Sequence, residues 1–294
     1  MPLIPSLPST LTALSLSATI LLAGCEGLGQ KFHDTRVMRV EHVPNQALDI
    51  VTANGSIKAQ QEARDDVSIE VELYGYDPER LDFATVIANR QGDGTLRVTI
   101  DWPGGKRERG EGAKIKVYTP DANNVTAKTS NGAVALFGLN GEAYIATSNG
   151  AITIHDHDGD IDANTSNGSI NIENASGNIR FDSSNARVKV ENARGEVQGD
   201  TSNGSIYIST TDGSSGPIRV RTSNGRVELD LGYGYQGVLG IKTSNGRIKT
   251  EGLADARLVE SSKNSLKLKM GNSEEISAVQ TSNGSVSVRG RADN

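Results

Sequence analysis

The sequence has few of the residues that cross-link, pack or catalyse in many small domains. Cys25 is the only cysteine in 294 residues, so no disulfide can form within the chain. Aromatic residues make up 4% of the chain, which excludes a core built mainly on large rings. Only four histidines are present, and the net charge of −6 gives no basic excess that would indicate a nucleic-acid partner.

What the sequence has instead is a short repeat. The tetrapeptide Thr-Ser-Asn-Gly occurs seven times, and degenerate copies at Ser183 and Ser261 bring the spacing to 18 to 21 residues. A unit this small cannot bury a core alone, so each copy must be one rung of a stacked array. The repeat predicts an all-β fold, a β-solenoid (single-stranded β-helix) with an irregular N-terminal β cap. The Asn-Gly pairs of the intact copies are Asn131-Gly132, Asn149-Gly150, Asn167-Gly168, Asn203-Gly204, Asn224-Gly225, Asn245-Gly246 and Asn283-Gly284.

Alternating aliphatic residues predict two strands in each rung. One pair follows the turn, as in Ile152 and Ile154, and a second stretch leads into the next turn, as in Ile161 and Ala163. Period-2 alternation of this kind is the signal of a half-buried strand. Leu266, after the degenerate copy at Ser261, is expected to begin a strand of the same type.

The Asn-Gly dipeptide indicates a tight turn. Both residues tolerate positive φ, which lets the chain reverse without steric penalty. Stacking also places asparagine above asparagine, where side-chain amides can hydrogen-bond along the array. We therefore favour a structural role for these asparagines over a ligand-binding one. Ala186 stands where the copy at Ser183 should have glycine, which predicts a strained or rearranged corner.

The N-terminus resembles a bacterial lipoprotein signal. Residues 11–23 are largely apolar and end in Leu22-Ala23-Gly24-Cys25. The resemblance implies that residues 1–24 are removed and that Cys25 receives lipid. Glu26, rather than aspartate, follows the cysteine, which implies delivery to the outer membrane if the organism has two membranes. The absence of Lys or Arg before Lys31 departs from such signals, and the alternative is an apolar N-terminus with a chance cysteine.

The apolar N-terminal stretch is too short for a membrane-spanning helix. We divide the chain into a signal peptide, a tether, an N-terminal β segment or cap, a repeat solenoid and a tail. These occupy residues 1–24, 25–35, 36–120, 121–290 and 291–294. Within the cap, the segment 49–57 resembles a degenerate repeat.

A cluster of acidic residues is one candidate site. Asp156, Asp158 and Asp160 alternate around a glycine beside His155 and His157. Such spacing resembles loops that offer oxygens to Ca²⁺, but the defined 12-residue loop with its terminal glutamate is absent. The alternative is a polar turn.

Basic residues form a second candidate. If the rungs stack in register, seven cations fall on outward positions of the first strand and could attract an anionic surface. Glu228 interrupts this stripe, and a solvated outer face is the alternative. The seven are Arg187, Lys189, Arg226, Arg247, Lys249, Lys267 and Lys269.

An inserted loop is the third candidate. Tyr233 and Tyr235 lie in a glycine-rich insertion, and aromatic side chains on loops can stack on sugars. Local packing is the alternative. None of the three candidates requires a cofactor.

The whole pattern resembles the bacterial putative-adhesin family of β-solenoid proteins. An irregular β segment, the strand end Thr119-Pro120 and tandem Thr-Ser-Asn-Gly rungs carry the resemblance. It implies surface attachment and offers no catalytic residues.

These features predict an exported, lipid-anchored, non-catalytic adhesion or binding module of the cell envelope. Glycan, an anionic surface or an envelope protein are the candidate partners. One alternative is an envelope-stress or regulatory component that binds another envelope protein. Another is a polysaccharide-acting β-helix enzyme, although no nucleophile with a matching base is recognisable.

Overall fold

The structure is a computed structural model that describes residues 30–253 and 256–291. More than half of this part is β-strand, arranged in two sheets whose inward side chains form one core. One short helix, α1 (Pro78–Phe83), and one 3₁₀ turn (Pro103–Gly105) interrupt the strands. The signal peptide, Cys25 and residues 292–294 lie outside the described residues.

The first sheet has 12 strands. In spatial order they are β1 (Phe32–Glu41), β4 (Asp66–Gly75), β7 (Gly112–Thr119), β3 (Ile57–Gln61), β9 (Val134–Phe137), β11 (Ile152–His157), β13 (Ile170–Ala175), β15 (Val188–Ala193), β17 (Ile206–Thr210), β19 (Val227–Leu231), β25 (Val286–Gly290) and β21 (Ile248–Glu251).

The second sheet has 13 strands. In spatial order they are β22 (Arg257–Ser262), β23 (Ser265–Met270), β20 (Gly237–Thr243), β24 (Ile276–Thr281), β18 (Ile218–Thr222), β16 (Val197–Thr201), β14 (Ile179–Ser183), β12 (Ile161–Thr165), β10 (Asn140–Thr147), β8 (Asn123–Lys128), β2 (Leu48–Val51), β6 (Leu96–Asp101) and β5 (Thr85–Arg90).

Each rung contributes one strand to each sheet, and successive rungs pair in parallel. Ile170 pairs with Ile152 on one side and with Val188 on the other, and all three side chains are buried. Burial of such a side chain contributes about 1.5–3 kcal/mol, and the contribution recurs at every rung. The predicted β-solenoid with two strands per rung is confirmed.

Phe181 is the one phenylalanine of the repeats that points into the core, and small residues on the two neighbouring rungs make space for its ring. Phe181 pairs with Ala163 on one side and with Gly199 on the other. A Cβ added at Gly199 would overlap the Phe181 ring. The small neighbours therefore make room for the ring, as close packing requires.

The order of rungs in the stack differs from their order in the chain. Strand β24 lies between β18 and β20, and β25 lies between β19 and β21. The C-terminal coil is thus inserted between two earlier coils. At the other end, β2 and β3 lie between strands of later residues, so the segment 49–57 is a rung of the stack.

The degenerate copy at Ser261 does not form a rung, and this prediction is wrong. Strands β22 and β23 form an antiparallel hairpin that extends the second sheet past β20. Leu266 therefore lies in an antiparallel strand. The copy at Ser183 loses only its glycine and still forms a rung, whereas this copy has Lys263 and Asn264 in place of both the asparagine and the glycine. It therefore lacks the side-chain amide as well as the small residue with which stacked corners meet.

The N-terminal part closes the first edge of both sheets with antiparallel pairs. Strand β1 pairs with β4, which pairs with β7, and β5 pairs with β6. Strand β1 begins at Phe32, inside the range 25–35 predicted as a tether. No helix in the described part of the chain is long and apolar enough to cross a membrane.

Candidate functional site

The repeated asparagines form one continuous ladder along a corner of the solenoid. Asn149 Nδ2 donates to Asn131 Oδ1 at 2.8 Å, and the same bond links each asparagine to the next at 2.7–2.9 Å. Each amide inside the ladder thus acts as both donor and acceptor. In spatial order the ladder runs through Asn131, Asn149, Asn167, Asn185, Asn203, Asn224, Asn283 and Asn245.

The threonine and glycine of each corner lock neighbouring rungs together. The buried hydroxyl of Thr165 donates to the Gly150 carbonyl at 3.1 Å and accepts from the Gly168 amide at 3.2 Å. The glycines of the seven intact copies have no positive φ, so that part of our interpretation is wrong for them. Glycine is needed because a Cβ at Gly168 would overlap the Gly150 carbonyl oxygen. Close approach of stacked backbone, rather than chain reversal, selects glycine here.

The corner at Ala186 is rearranged without backbone strain. Its amide still donates to Ser183 Oγ at 3.0 Å, and Ala186 is absent from the residues with positive φ. However, Ser183 Oγ lies 3.5 Å from the Ser166 carbonyl oxygen, where an intact corner has a bond to the glycine carbonyl. This corner, with Ser183 in place of threonine and Ala186 in place of glycine, therefore lacks one of the bonds between rungs.

The acidic cluster lies at the opposite corner of the solenoid, and its Asp156 belongs to a second ladder. Asn174 Nδ2 donates to Asp156 Oδ1 at 2.7 Å, and Asn192 Nδ2 donates to Asn174 Oδ1 at 2.9 Å. All three residues have φ of 56° or 57°, a region that Asn and Asp enter more easily than other residues with side chains. This is the corner where positive φ matters.

The other two carboxylates also accept bonds from the next rung. Asp158 accepts from the Ser176 hydroxyl, and Asp160 Oδ1 accepts from the Asn178 amide at 2.7 Å. Among the described residues, no group of three or more His, Cys, Asp or Glu side chains is placed to hold a metal ion. The geometry therefore ties these aspartates to the turn instead of to one another.

The two histidines of this segment point to opposite sides of β11. His157 is buried, its Nε2 lies 2.8 Å from the Gly141 carbonyl, and its Nδ1 has no partner. Burial lowers the pKa of His157 because the charged form loses its hydration. His155 stacks on Phe137 at 5.6 Å between ring centroids and lies 3.0 Å from a Glu173 oxygen.

The predicted basic stripe is not continuous. Lys267 and Lys269 lie in β23 of the second sheet, away from the other five. Lys189, Arg226 and Lys249 lie in or beside the first sheet, and each forms an ion pair with a glutamate two residues along the chain. Arg247 precedes β21, two rungs from the Arg226 rung because the C-terminal coil lies between them. The prediction of one continuous stripe is wrong because Lys267 and Lys269 belong to the hairpin of β22 and β23 and because the C-terminal coil separates Arg226 from Arg247.

The two tyrosines of the inserted loop have different environments. Tyr235 is buried, with its hydroxyl oxygen 2.7 Å from Ser277 Oγ, and burial raises its pKa. Tyr233 remains 48% exposed. Contact with a sugar stays a prediction for Tyr233, whereas Tyr235 packs locally.

One surface residue was missed by the sequence reasoning. Tyr144 projects from the outer face of β10, between the buried Ala143 and Ile145, and is 40% exposed. Shallow grooves of about 640 Å³ and about 400 Å³ lie on its two sides. The available signal was an aromatic residue at an outward position of an alternating strand.

No family model and no curated protein matches this chain. A crystal structure of a "putative adhesin" from Bacteroides fragilis NCTC 9343 is similar at 15% identity and a TM-score of 0.48, covering 91% of this chain and 100% of that one. A "putative adhesin" and a "putative lipid binding protein" from Parabacteroides distasonis ATCC 8503 are each 13% identical. Their TM-scores are 0.44 and 0.42, and each comparison covers 90% of this chain and 98% of the other.

Proposed function

We propose that this chain is a non-catalytic binding module of the cell envelope, anchored by lipid on Cys25, whose solenoid adheres to surface polymers. The observation that carries the proposal is the exterior of the stack. Both corners are occupied by bonds between rungs, as at Asn149 and Asn174, which leaves the two outer sheet faces for a ligand. Long, regular, polar faces are characteristic binding surfaces of solenoids.

The titratable groups also support a non-catalytic role. The pKa of Glu111 is lowered despite its burial because it accepts bonds from the Arg80 guanidinium and the Glu108 amide. This carboxylate holds the loop that precedes β7. In the described residues, none of the four imidazoles hydrogen-bonds a hydroxyl or a thiol, so no nucleophile and base are paired there.

Adhesion can be tested with the purified protein on beads. Beads that carry the protein should retain whole cells or isolated envelope polysaccharide, and beads that carry heat-unfolded protein should not. Equal retention by both kinds of bead, or no retention by either, would contradict the proposed function.

The anchor is tested separately in cells. Cys25→Ser should move the protein from the membrane fraction to the soluble fraction and abolish incorporation of labelled palmitate. A membrane-bound, unlabelled wild type would remove the anchor from the proposal without affecting the adhesion assay.

A second candidate function is binding to another envelope protein. It is favoured by two exposed aromatic side chains that flank α1, Phe83 at 75% and Tyr76 at 51% exposure, because aromatic residues are enriched at protein interfaces. Cross-linking in intact cells followed by purification should then recover one defined protein. The double variant Tyr76→Ser and Phe83→Ser should lose that protein while polymer binding persists.

A further inference from the structure

We infer that the outer face of the second sheet carries a carbohydrate-binding site centred on Tyr144, which takes an uncharged polysaccharide chain. The inference rests on the proposed function and names its site and ligand class. It draws on the position of the Tyr144 ring, the grooves on its two sides and the balance of charge around them.

The register of β10 fixes Tyr144 on the surface. Ala143 and Ile145 are inward and buried, so the alternation of the strand turns Tyr144 outward. Its pairing partners are Thr126 on one side and Asp162 on the other. Among the outward positions of the parallel strands described in this sheet, no other carries an aromatic residue.

The Tyr144 ring is held in place and remains available. Lys128 Nζ lies 4.8 Å from the ring centroid, close enough for a cation–π interaction that restrains the ring. The Tyr144 side chain is 40% exposed. An exposed tyrosine of this kind offers a flat apolar surface and a polar tip, a combination that suits the CH face and hydroxyls of a sugar.

The first groove runs beside the serines of the repeated tetrapeptide and has small polar walls. It passes Ala146, Ser148 and Asn164 and extends to Asp182 four rungs from its start at Val51. Its volume of about 640 Å³ lies within the usual range of small-ligand sites. Serine side chains recur here at the rung spacing of about 4.8 Å, at Ser130, Ser148, Ser166 and Ser184. An extended chain of pyranose rings that follows the stack would therefore meet a hydroxyl at each step.

The second groove lies on the other side of Tyr144 and is lined by Asp162, Arg180 and Gln198. Asn164 Nδ2 donates to Asp162 Oδ1 at 2.7 Å, which fixes a carboxylate between the two grooves. Carboxylates and amides in fixed positions accept and donate bonds to sugar hydroxyls.

The charge around Tyr144 selects against an anionic polymer. Lys128 and Arg180 are offset by Asp162 and Asp182. The second groove adds carboxylates at Glu142, Asp160 and Glu196. Arg219 pairs with Glu196, so Glu142 and Asp160 carry the excess negative charge. Because like charges repel at close range, an acidic polysaccharide would be excluded and an uncharged one accepted.

The test is retention of the purified protein on a fixed panel of polysaccharides. The uncharged members are cellulose, xylan, mannan and dextran, and the anionic members are alginate and heparin. The protein should bind at least one uncharged polymer and neither anionic one. Tyr144→Ala should weaken that binding about tenfold, and Tyr144→Phe should leave it within about twofold, because stacking needs the ring and not the hydroxyl.

Tyr207→Ala is the matched control, because Tyr207 projects outward from β17 in the other sheet. It should leave binding unchanged, and all variants should melt cooperatively. Unchanged binding by Tyr144→Ala, binding to anionic polymers alone, or binding to none of the panel would each overturn the inference. If cells are still retained by protein-coated beads in that case, the proposed function survives and only this site fails.

Discussion

The side-chain amide of Asn283 donates to that of Asn224 at 2.8 Å, although 59 residues separate them. Asn245, which follows Asn224 in the chain, bonds instead to Asn283. The C-terminal coil therefore lies between two coils that precede it in the sequence. The coil that contains β20 and β21 gains its parallel neighbour only when the C-terminal coil is in place.

Insertion of the C-terminal coil predicts a specific cross-link. Ser282 donates its backbone amide to the Ser223 carbonyl across neighbouring rungs at 3.2 Å. Adjacent strands lie about 4.8 Å apart, a distance that a disulfide spans. In a Cys25→Ser background, Ser223→Cys with Ser282→Cys should oxidise readily, as measured by gel mobility with and without reductant.

The matched control pair is Ser223→Cys with Ser244→Cys. These positions would be neighbours if the rungs followed chain order, but the Ser282 rung lies between them. At about twice the strand spacing they should not cross-link. Preferential oxidation of this control pair would show that the order of rungs is wrong.

A side chain at the corner glycine of an intact rung should destabilise the protein. In Gly168→Ala the new methyl group would overlap the Gly150 carbonyl oxygen, and overpacking of this kind costs about 1–3 kcal/mol or more. Gly92→Ala is the control, since nothing lies within 4 Å of its Cβ position. Urea unfolding measures both, and equal midpoints for the two variants would contradict the close-approach explanation.

Restoring the degenerate corner should stabilise the protein. The double variant Ser183→Thr and Ala186→Gly recreates the hydroxyl bond to the glycine of the previous rung, which the natural corner lacks. Substitutions toward a repeat consensus commonly add about 0.5–2 kcal/mol. A higher thermal midpoint is expected. If Ala186→Gly alone gave the whole gain, relief of the methyl group rather than the hydroxyl bond would be the cause.

Stability should fall as pH drops through the titration of His157. Burial lowers its pKa in the folded protein, so the unfolded chain binds the proton more strongly. The stabilising contribution is complete above the ordinary histidine pKa of 6.5 and is lost as the pH falls below it. Urea midpoints at about pH 7.5 and about pH 5.5 should therefore differ.

His157→Ala should reduce that difference because it removes the titrating imidazole. Alanine is expected to fit, since Ala175 occupies the paired position of the next rung. His155→Gln, on the outer face of the same strand, controls for loss of an imidazole. An unchanged pH dependence in His157→Ala would mean that other groups cause it.

Local signals predicted the rung well. The alternation at Ile152 and Ile154, and again at Ile161 and Ala163, places the inward residues correctly. The asparagine row follows from the repeat because identical corners stack. The reason for the corner glycine did not follow, since the close approach of Gly168 to Gly150 exists only after the two rungs have stacked.

The candidate sites depended on information that a single sequence does not contain. Tyr233 and Tyr235 have similar glycine-rich neighbours in the sequence. Packing against Ser277 buries Tyr235 and leaves Tyr233 exposed. Likewise, Lys267 has the spacing of a rung residue but lies in a hairpin. Tyr144 became a candidate because the grooves beside it are made by residues from several rungs.

The sequence by itself determined the period, the two strands of each rung and the rows of like residues, because these follow from alternation and turn chemistry within about 20 residues. Only the tertiary structure decided which rungs are neighbours. Near-identical rungs offer the same edges and the same corner to one another, so local sequence cannot rank the possible neighbours. The observed order is set by contacts between distant segments: β20 pairs with β23 of the hairpin on one side and with β24 of the C-terminal coil on the other, and β21 pairs with β25.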